Sequence, residues 1–92
     1  MNQLIWTKTF TRTARKFLHK APSLQSEFQT VLEQLEKDPA HPRLRLHALK
    51  GRLQGKHAVS LTYSHRIILL LRLDNHEIIL LDIGTHDDVY RP

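Results

Sequence analysis

Between residues 39 and 73 the chain carries Arg43, Arg45, Lys50, Arg52, Lys56, Arg66 and Arg72 without one Asp or Glu, with His41, His47, His57 and His65 interspersed. His86 follows near the end of the chain. Guanidinium and ammonium groups attract polyanions, and an arginine fork can hold two phosphate oxygens at once. Imidazole titrates near neutrality, so it can either take or give a proton. Together these are the groups needed to cleave RNA without a metal. A base removes the ribose 2′-OH proton, the freed oxygen attacks the adjacent phosphorus, an acid protonates the departing 5′-oxygen, and a cation steadies the extra charge on phosphorus. The alternative on charge alone is a solvated basic surface that keeps a small protein soluble.

The remaining composition bounds what can position these groups. Ninety-two residues, 40% of them hydrophobic and 25% charged, predict a single domain over residues 1–92 with one compact core. The net charge of +5 is uneven, because residues 1–26 hold Lys8, Arg12, Arg15, Lys16 and Lys20 with no carboxylate. No cysteine is present, so packing alone must hold the fold and no thiolate metal site is available. Asp87 and Asp88 beside His86 lack a second set of ligands at supporting spacing, so neither a metal nor a cofactor is expected. The first ten residues lack an apolar signal region, and the longest apolar run, residues 67–71, is too short for a bilayer. A cytoplasmic protein without a membrane role is the expectation.

Hydropathy periods supply the elements. Leu4, Ile5 and Trp6 suit a strand over residues 2–6, and Thr7 suits a helix N-cap. Phe10, Ala14, Phe17 and Leu18 then mark one face of a helix ending near Lys20, opposite a basic face. Pro22 and Ser23 open a second helix whose Leu24, Phe28, Val31, Leu32 and Leu35 repeat that spacing until Asp38-Pro39. Trp6 is expected in the core with Phe10, Phe17 and Phe28. After Pro42 the period falls to two: Leu44, Leu46 and Ala48 alternate with Arg43, Arg45 and His47, and Ala58, Ser60 and Thr62 alternate with Val59, Leu61 and Tyr63. Residues 66–73 and 77–83 are nearly continuous apolar strands joined at Asp74-Asn75, the pattern of strands in the middle of a covered sheet. The reading is α+β: an N-terminal strand, then an antiparallel helical hairpin on one face of a mainly antiparallel four-stranded sheet. Arg45, His47, Lys50, Arg52, Lys56, Arg66 and His86 would collect on the other, open face.

This order, the run Leu49-Lys50-Gly51, Leu53-Gln54-Gly55, His65-Arg66-Ile67, and the end Ile83-Gly84-Thr85-His86-Asp87-Asp88-Val89-Tyr90 resemble the RelE superfamily of bacterial type II toxins. The YoeB-like and YafQ-like members are nearest in motif. The resemblance spans essentially the whole chain and implies the RelE-like fold and an endoribonuclease that cleaves mRNA, on the ribosome, by 2′-OH attack. It places Arg66 on the scissile phosphate, His86 as general acid, Tyr90 stacking on a base or orienting the phosphate, and His47 as general base. Arg45, Lys50, Arg52 and Lys56 would hold the RNA backbone. His57 and His65 stand in reserve, because a one-residue slip would exchange the faces of their strands. The implied partners are an acidic antitoxin, mRNA and the ribosome, and operator DNA reached through the antitoxin. Histidines replace part of the lysine-rich site of the strongest ribosome-dependent members. Two alternatives therefore accompany the nuclease: a ParE-like inhibitor of DNA gyrase, which is not an enzyme, and an inactive toxin-like protein that binds an antitoxin.

Overall fold

The structure, a computed structural model, describes residues 1–90; residues 91 and 92 of the domain expected over 1–92 lie outside the described residues. Strand β1 (Gln3–Trp6) leads into helix α1 (Lys8–Lys20), and a 3-10 turn at Pro22–Leu24 leads into helix α2 (Gln25–Lys37). Strands β2 (His47–Ala48), β3 (His57–Ser60), β4 (His65–Arg72) and β5 (Glu77–Thr85) follow, and a short helix α3 (His86–Val89) closes the described chain. The strands form one sheet in the order β1-β5-β4-β3-β2, parallel only between β1 and β5. The α+β class therefore stands, with five strands in the sheet where four were expected. No helix among the described residues is long and apolar enough to cross a membrane.

Local chemistry explains the elements. The Thr7 side-chain oxygen accepts from the Phe10 N–H at 3.1 Å, capping α1, while its hydroxyl donates to the Leu80 carbonyl at 2.8 Å and ties the cap to β5. Phe10, Ala14 and Phe17 are the buried stripe of α1, and Phe28, Val31 and Leu35 that of α2. Both stripes pack on one sheet face with Val59, Leu61, Ile67, Leu69, Ile78, Leu80 and Ile83. Trp6 departs from expectation: it is 45% exposed and only edges onto Phe10 and Phe28, because β1 is an outer strand of the sheet.

The alternating stretch 43–48 is the larger departure. Pro42 starts a 3-10 turn through Leu44, and Arg45 takes left-handed backbone angles (φ 51, ψ 46), so only His47 and Ala48 pair as a strand. Leu44 nevertheless reaches the main core from the turn. Alternation of side chains cannot tell a strand from such a turn when both bury the same leucine. The link between β4 and β5 is likewise a 3-10 turn, Leu73–Asn75, closed by left-handed His76, rather than a two-residue hairpin.

The far face of the sheet is not purely polar. Leu49, Ala58, Ile68 and Val89 form a second buried cluster there, with Leu53, Leu81 and Tyr90 packed against it. The β4–β5 register passes from Ile68↔Asp82 to Leu69↔Leu80, so Leu81 is the additional residue of a bulge. Leu80 and Ile83 thereby both serve the main core while Leu81 serves the second one. Apolar clusters on both faces explain why β4 and β5 read as continuous apolar runs.

Candidate functional site

The second face also carries the polar groups, and the register says which. Residues directly opposite in an antiparallel pair share a face. His47 pairs with Ala58, which pairs with Ile68, and Ser60 pairs with Arg66, which pairs with Gly84. His47 and Arg66 therefore lie on the face of the second cluster. His57 pairs with Leu69, a main-core residue, and the His65 ring meets Phe17 edge-on at 4.8 Å. Both reserve histidines thus face the helices and stand apart from Arg66. The His57 Nδ1 is buried without a hydrogen-bond partner among the described residues, and the His65 Nδ1 lies 2.9 Å from Thr62 Oγ1.

Arg66 is the second residue of the central strand β4 and is half-buried. Its Nη1 donates to the carbonyls of Thr62, Tyr63 and His65 at 3.0, 3.2 and 3.1 Å, which anchors the guanidinium in the β3–β4 turn. No other protein partner holds Nε or Nη2 among the described residues, so that edge of the fork is available to an anion. Tyr90, the residue that ends α3, lies within electrostatic reach of Arg66. Burial pushes the Tyr90 phenol above its ordinary value, and the nearby positive charge of Arg66, pulling the other way, does not cancel it. The phenol thus stays protonated at neutral pH and can donate a hydrogen bond.

Helix α3 is placed by three residues. Thr85 Oγ1 accepts from the Asp88 N–H and Asp88 Oδ2 accepts from the Thr85 N–H, each at 3.2 Å, a capping box that starts the helix at His86. Asp88, two residues after the expected general acid, thus bonds the backbone at the helix start. A side chain at Gly84 would lie 2.9 Å from Asp88 Cβ and 3.4 Å from Val89 Cγ1, so only glycine lets α3 lie against β5. The turn of helix then brings His86 and Tyr90 together, with ring centroids 4.3 Å apart. The contact between His86 Nδ1 and Asp87 Oδ1, 3.8 Å between exposed side chains, contributes little. From this geometry, Gly84→Ala is expected to shift α3 and lower activity at least tenfold while the main core survives. Near-wild-type activity together with an unmoved His86–Tyr90 contact in a structure of the variant would refute that dependence.

His47 is exposed, and its Nδ1 lies 2.9 Å from the Arg45 carbonyl. A carbonyl only accepts, so Nδ1 carries the proton in this contact, and in the neutral ring Nε2 is left with a free lone pair. That is the tautomer a proton acceptor requires.

The basic residues divide. Arg45 joins Arg66 in a cleft of about 500 Å³ whose other walls include Arg43, Glu27, Ser60, Thr62 and Tyr63. Lys50, Arg52 and Lys56 do not line it. They belong to the loop before β3, whereas Arg66 pairs with Ser60 at the far end of that strand. There they border Leu49 and Leu53 of the second cluster. Arg43 and Tyr63 were not singled out by the sequence, since a turn that returns them to the start of β4 has no signature in residue period. Among the described residues no three His, Asp or Glu side chains gather as a metal site.

The model of the family described as bacterial toxin of type II toxin–antitoxin system, YafQ, matches residues 2–91. Among solved structures, a copper-bound mutant toxin from Helicobacter pylori is 26% identical, with TM-score 0.78, over 98% of this chain and 100% of that one. YafQ from Escherichia coli is 13% identical, with TM-score 0.80, over 98% and 99% of the two chains. YafQ in the Escherichia coli DinJ-YafQ complex is 14% identical, with TM-score 0.78, over 98% and 99%. Among curated proteins none matches.

Proposed function

Because the chain belongs to the YafQ family of bacterial type II toxins, we propose that it is an endoribonuclease that cleaves mRNA on the ribosome by attack of the ribose 2′-OH. The observation that carries this reading is Arg66 on the second face of the sheet, pinned at Nη1 by three carbonyls and with no protein partner on the rest of its fork among the described residues. A donor fixed in advance beside a developing phosphorane charge stabilises the transition state without reorganising. In the proposed reaction His47 Nε2 takes the 2′-OH proton and the 2′-oxygen bonds to phosphorus. The bond from phosphorus to the 5′-oxygen breaks, and His86 supplies the proton to that leaving oxygen. Arg66 and Tyr90 hold the non-bridging oxygens. The attacking oxygen belongs to the RNA, so the proposal needs neither metal nor cofactor. Arg45 would hold the backbone at the cleft, and Lys50, Arg52 and Lys56 would contact a more distant stretch of it.

The solved DinJ-YafQ complex, in which a relative is seen with a second protein, supports an antitoxin as partner. A chain of net charge +5 favours an acidic one. Through it the toxin would reach operator DNA, all within the cytoplasm. Expression of this chain alone is expected to arrest growth with new mRNA ends, and co-expression of its acidic antitoxin to restore growth. Arrest without new ends, or arrest that every adjoining acidic frame fails to relieve, would contradict the reading.

A further inference from the structure

We propose that the cleft beside Arg66 is a nucleotide subsite in which Tyr63 stacks on the base next to the scissile phosphate and Arg45 holds that nucleotide's phosphate. The inference rests on the ribonuclease reading and extends it to residues outside the reacting centre. Its starting point is the Tyr63 ring, which is 97% exposed. A tyrosine left in water is ordinary on a mobile loop, but here the backbone beneath the ring is tied down. Thr62 Oγ1 accepts from the Ser64 and His65 N–H groups at 3.2 and 3.1 Å, and the Leu61 N–H donates to the His65 carbonyl at 3.0 Å. The Tyr63 carbonyl itself accepts from Arg66 Nη1. The same guanidinium that would bind the scissile phosphate therefore anchors the backbone that carries the aromatic ring.

Size and charge fit a nucleotide. The cleft holds about 500 Å³, within the range of small-molecule sites. Arg43 is neutralised by Glu27, Nη2 to Oε1 at 3.0 Å, so the wall toward α2 is a closed ion pair. Arg45 has no such carboxylate partner among the described residues, and it lines the cleft with Arg66. Phosphate is thereby drawn to the Arg45 and Arg66 side, and the base is left to the Tyr63 side. Stacking on an aromatic face tolerates every base, and RNA recognition by proteins uses it on splayed, unpaired nucleotides.

The test uses a fluorescently end-labelled single-stranded RNA that is 2′-O-methylated throughout, so that it cannot be cut and the readout is binding alone. Tyr63→Ala is expected to weaken its anisotropy-measured affinity on the order of tenfold to a hundredfold, and Tyr63→Phe to stay near wild type. Arg45→Ala should flatten the salt dependence of binding, whereas Tyr63→Ala should leave that slope unchanged. A single abasic position scanned along the RNA should, at one site, reduce wild type to the level of Tyr63→Ala and affect that variant no further. Absence of binding by wild type, equal affinities of wild type and Tyr63→Ala, or a loss in Tyr63→Phe as large as in Tyr63→Ala would overturn the subsite. Because nothing is cleaved, these outcomes are separate from failure of the nuclease reading, which is scored on cut RNA with Arg66 variants.

Discussion

Replacing Arg66 by alanine is expected to lower the rate of RNA cleavage by about two to three orders of magnitude, and replacing His86 by alanine by a similar factor. For Arg66 the expectation follows from where its N–H groups go. One nitrogen is spent on three turn carbonyls and the rest of the fork has no protein partner among the described residues, so alanine removes both the charge and the anchor of the β3–β4 turn. Arg66→Lys separates these roles, because a point charge is kept while the planar fork is lost. Lysine should recover only a small part of the rate. For His86 the side chain is largely exposed and its neighbours Thr85 and Asp88 build the helix start without it. Alanine there should leave the circular dichroism spectrum unchanged while growth arrest disappears. A His86→Ala protein as toxic as wild type would remove this residue from the mechanism.

A comparably large effect, on stability rather than rate, is expected at Phe28. It is 5% exposed and meets Trp6, Phe10 and Phe17 at centroid distances of 6.1, 6.2 and 6.5 Å. Truncation of such a ring to alanine costs about 3–5 kcal/mol, the lost burial plus the cavity left behind. Small domains are stable by about 5–15 kcal/mol in total, so Phe28→Ala should bring this one close to its unfolding threshold. Urea denaturation measures the difference directly. A nearly unchanged midpoint would mean that α2 does not bury the face assigned to it.

The helical hairpin was legible because Phe10, Ala14 and Phe17, and then Phe28, Val31 and Leu35, sit at helical spacing on faces the structure buries. Strands β4 and β5 were legible for the opposite reason, as runs too apolar to have a wet side. What the sequence hid lies where local period and tertiary role part company. The stretch 43–48 alternates like a strand, yet Pro42 and the left-handed Arg45 make it mostly a turn. Leu49, Leu53 and Val89 gave no sign of a second core, since each lies in a short irregular segment or a single turn of helix. Among the candidate site residues, the pairing of His86 with Tyr90 was readable from their separation of four. The position of Arg66 on the second face followed from strand alternation. Lys50, Arg52 and Lys56 were grouped with Arg66 by charge alone, and charge does not say to which end of a strand a loop belongs. Arg43 and Tyr63, which do line the cleft, are brought there by turns.

The central claim, that the 2′-oxygen of the RNA is the nucleophile, is tested most directly by the chemistry of the cut ends. Purified wild-type protein with translating ribosomes and a defined mRNA, in the presence and absence of a chelator that spares the ribosome, should yield fragments ending in 2′,3′-cyclic phosphate and beginning with 5′-hydroxyl. A 2′-deoxy substitution at the cut position should abolish cleavage there, and the Arg66→Ala protein should leave the same mRNA intact. Fragments with 3′-hydroxyl and 5′-phosphate ends, or cleavage that survives the 2′-deoxy substitution, would contradict the account, because the attacking oxygen would then have come from water.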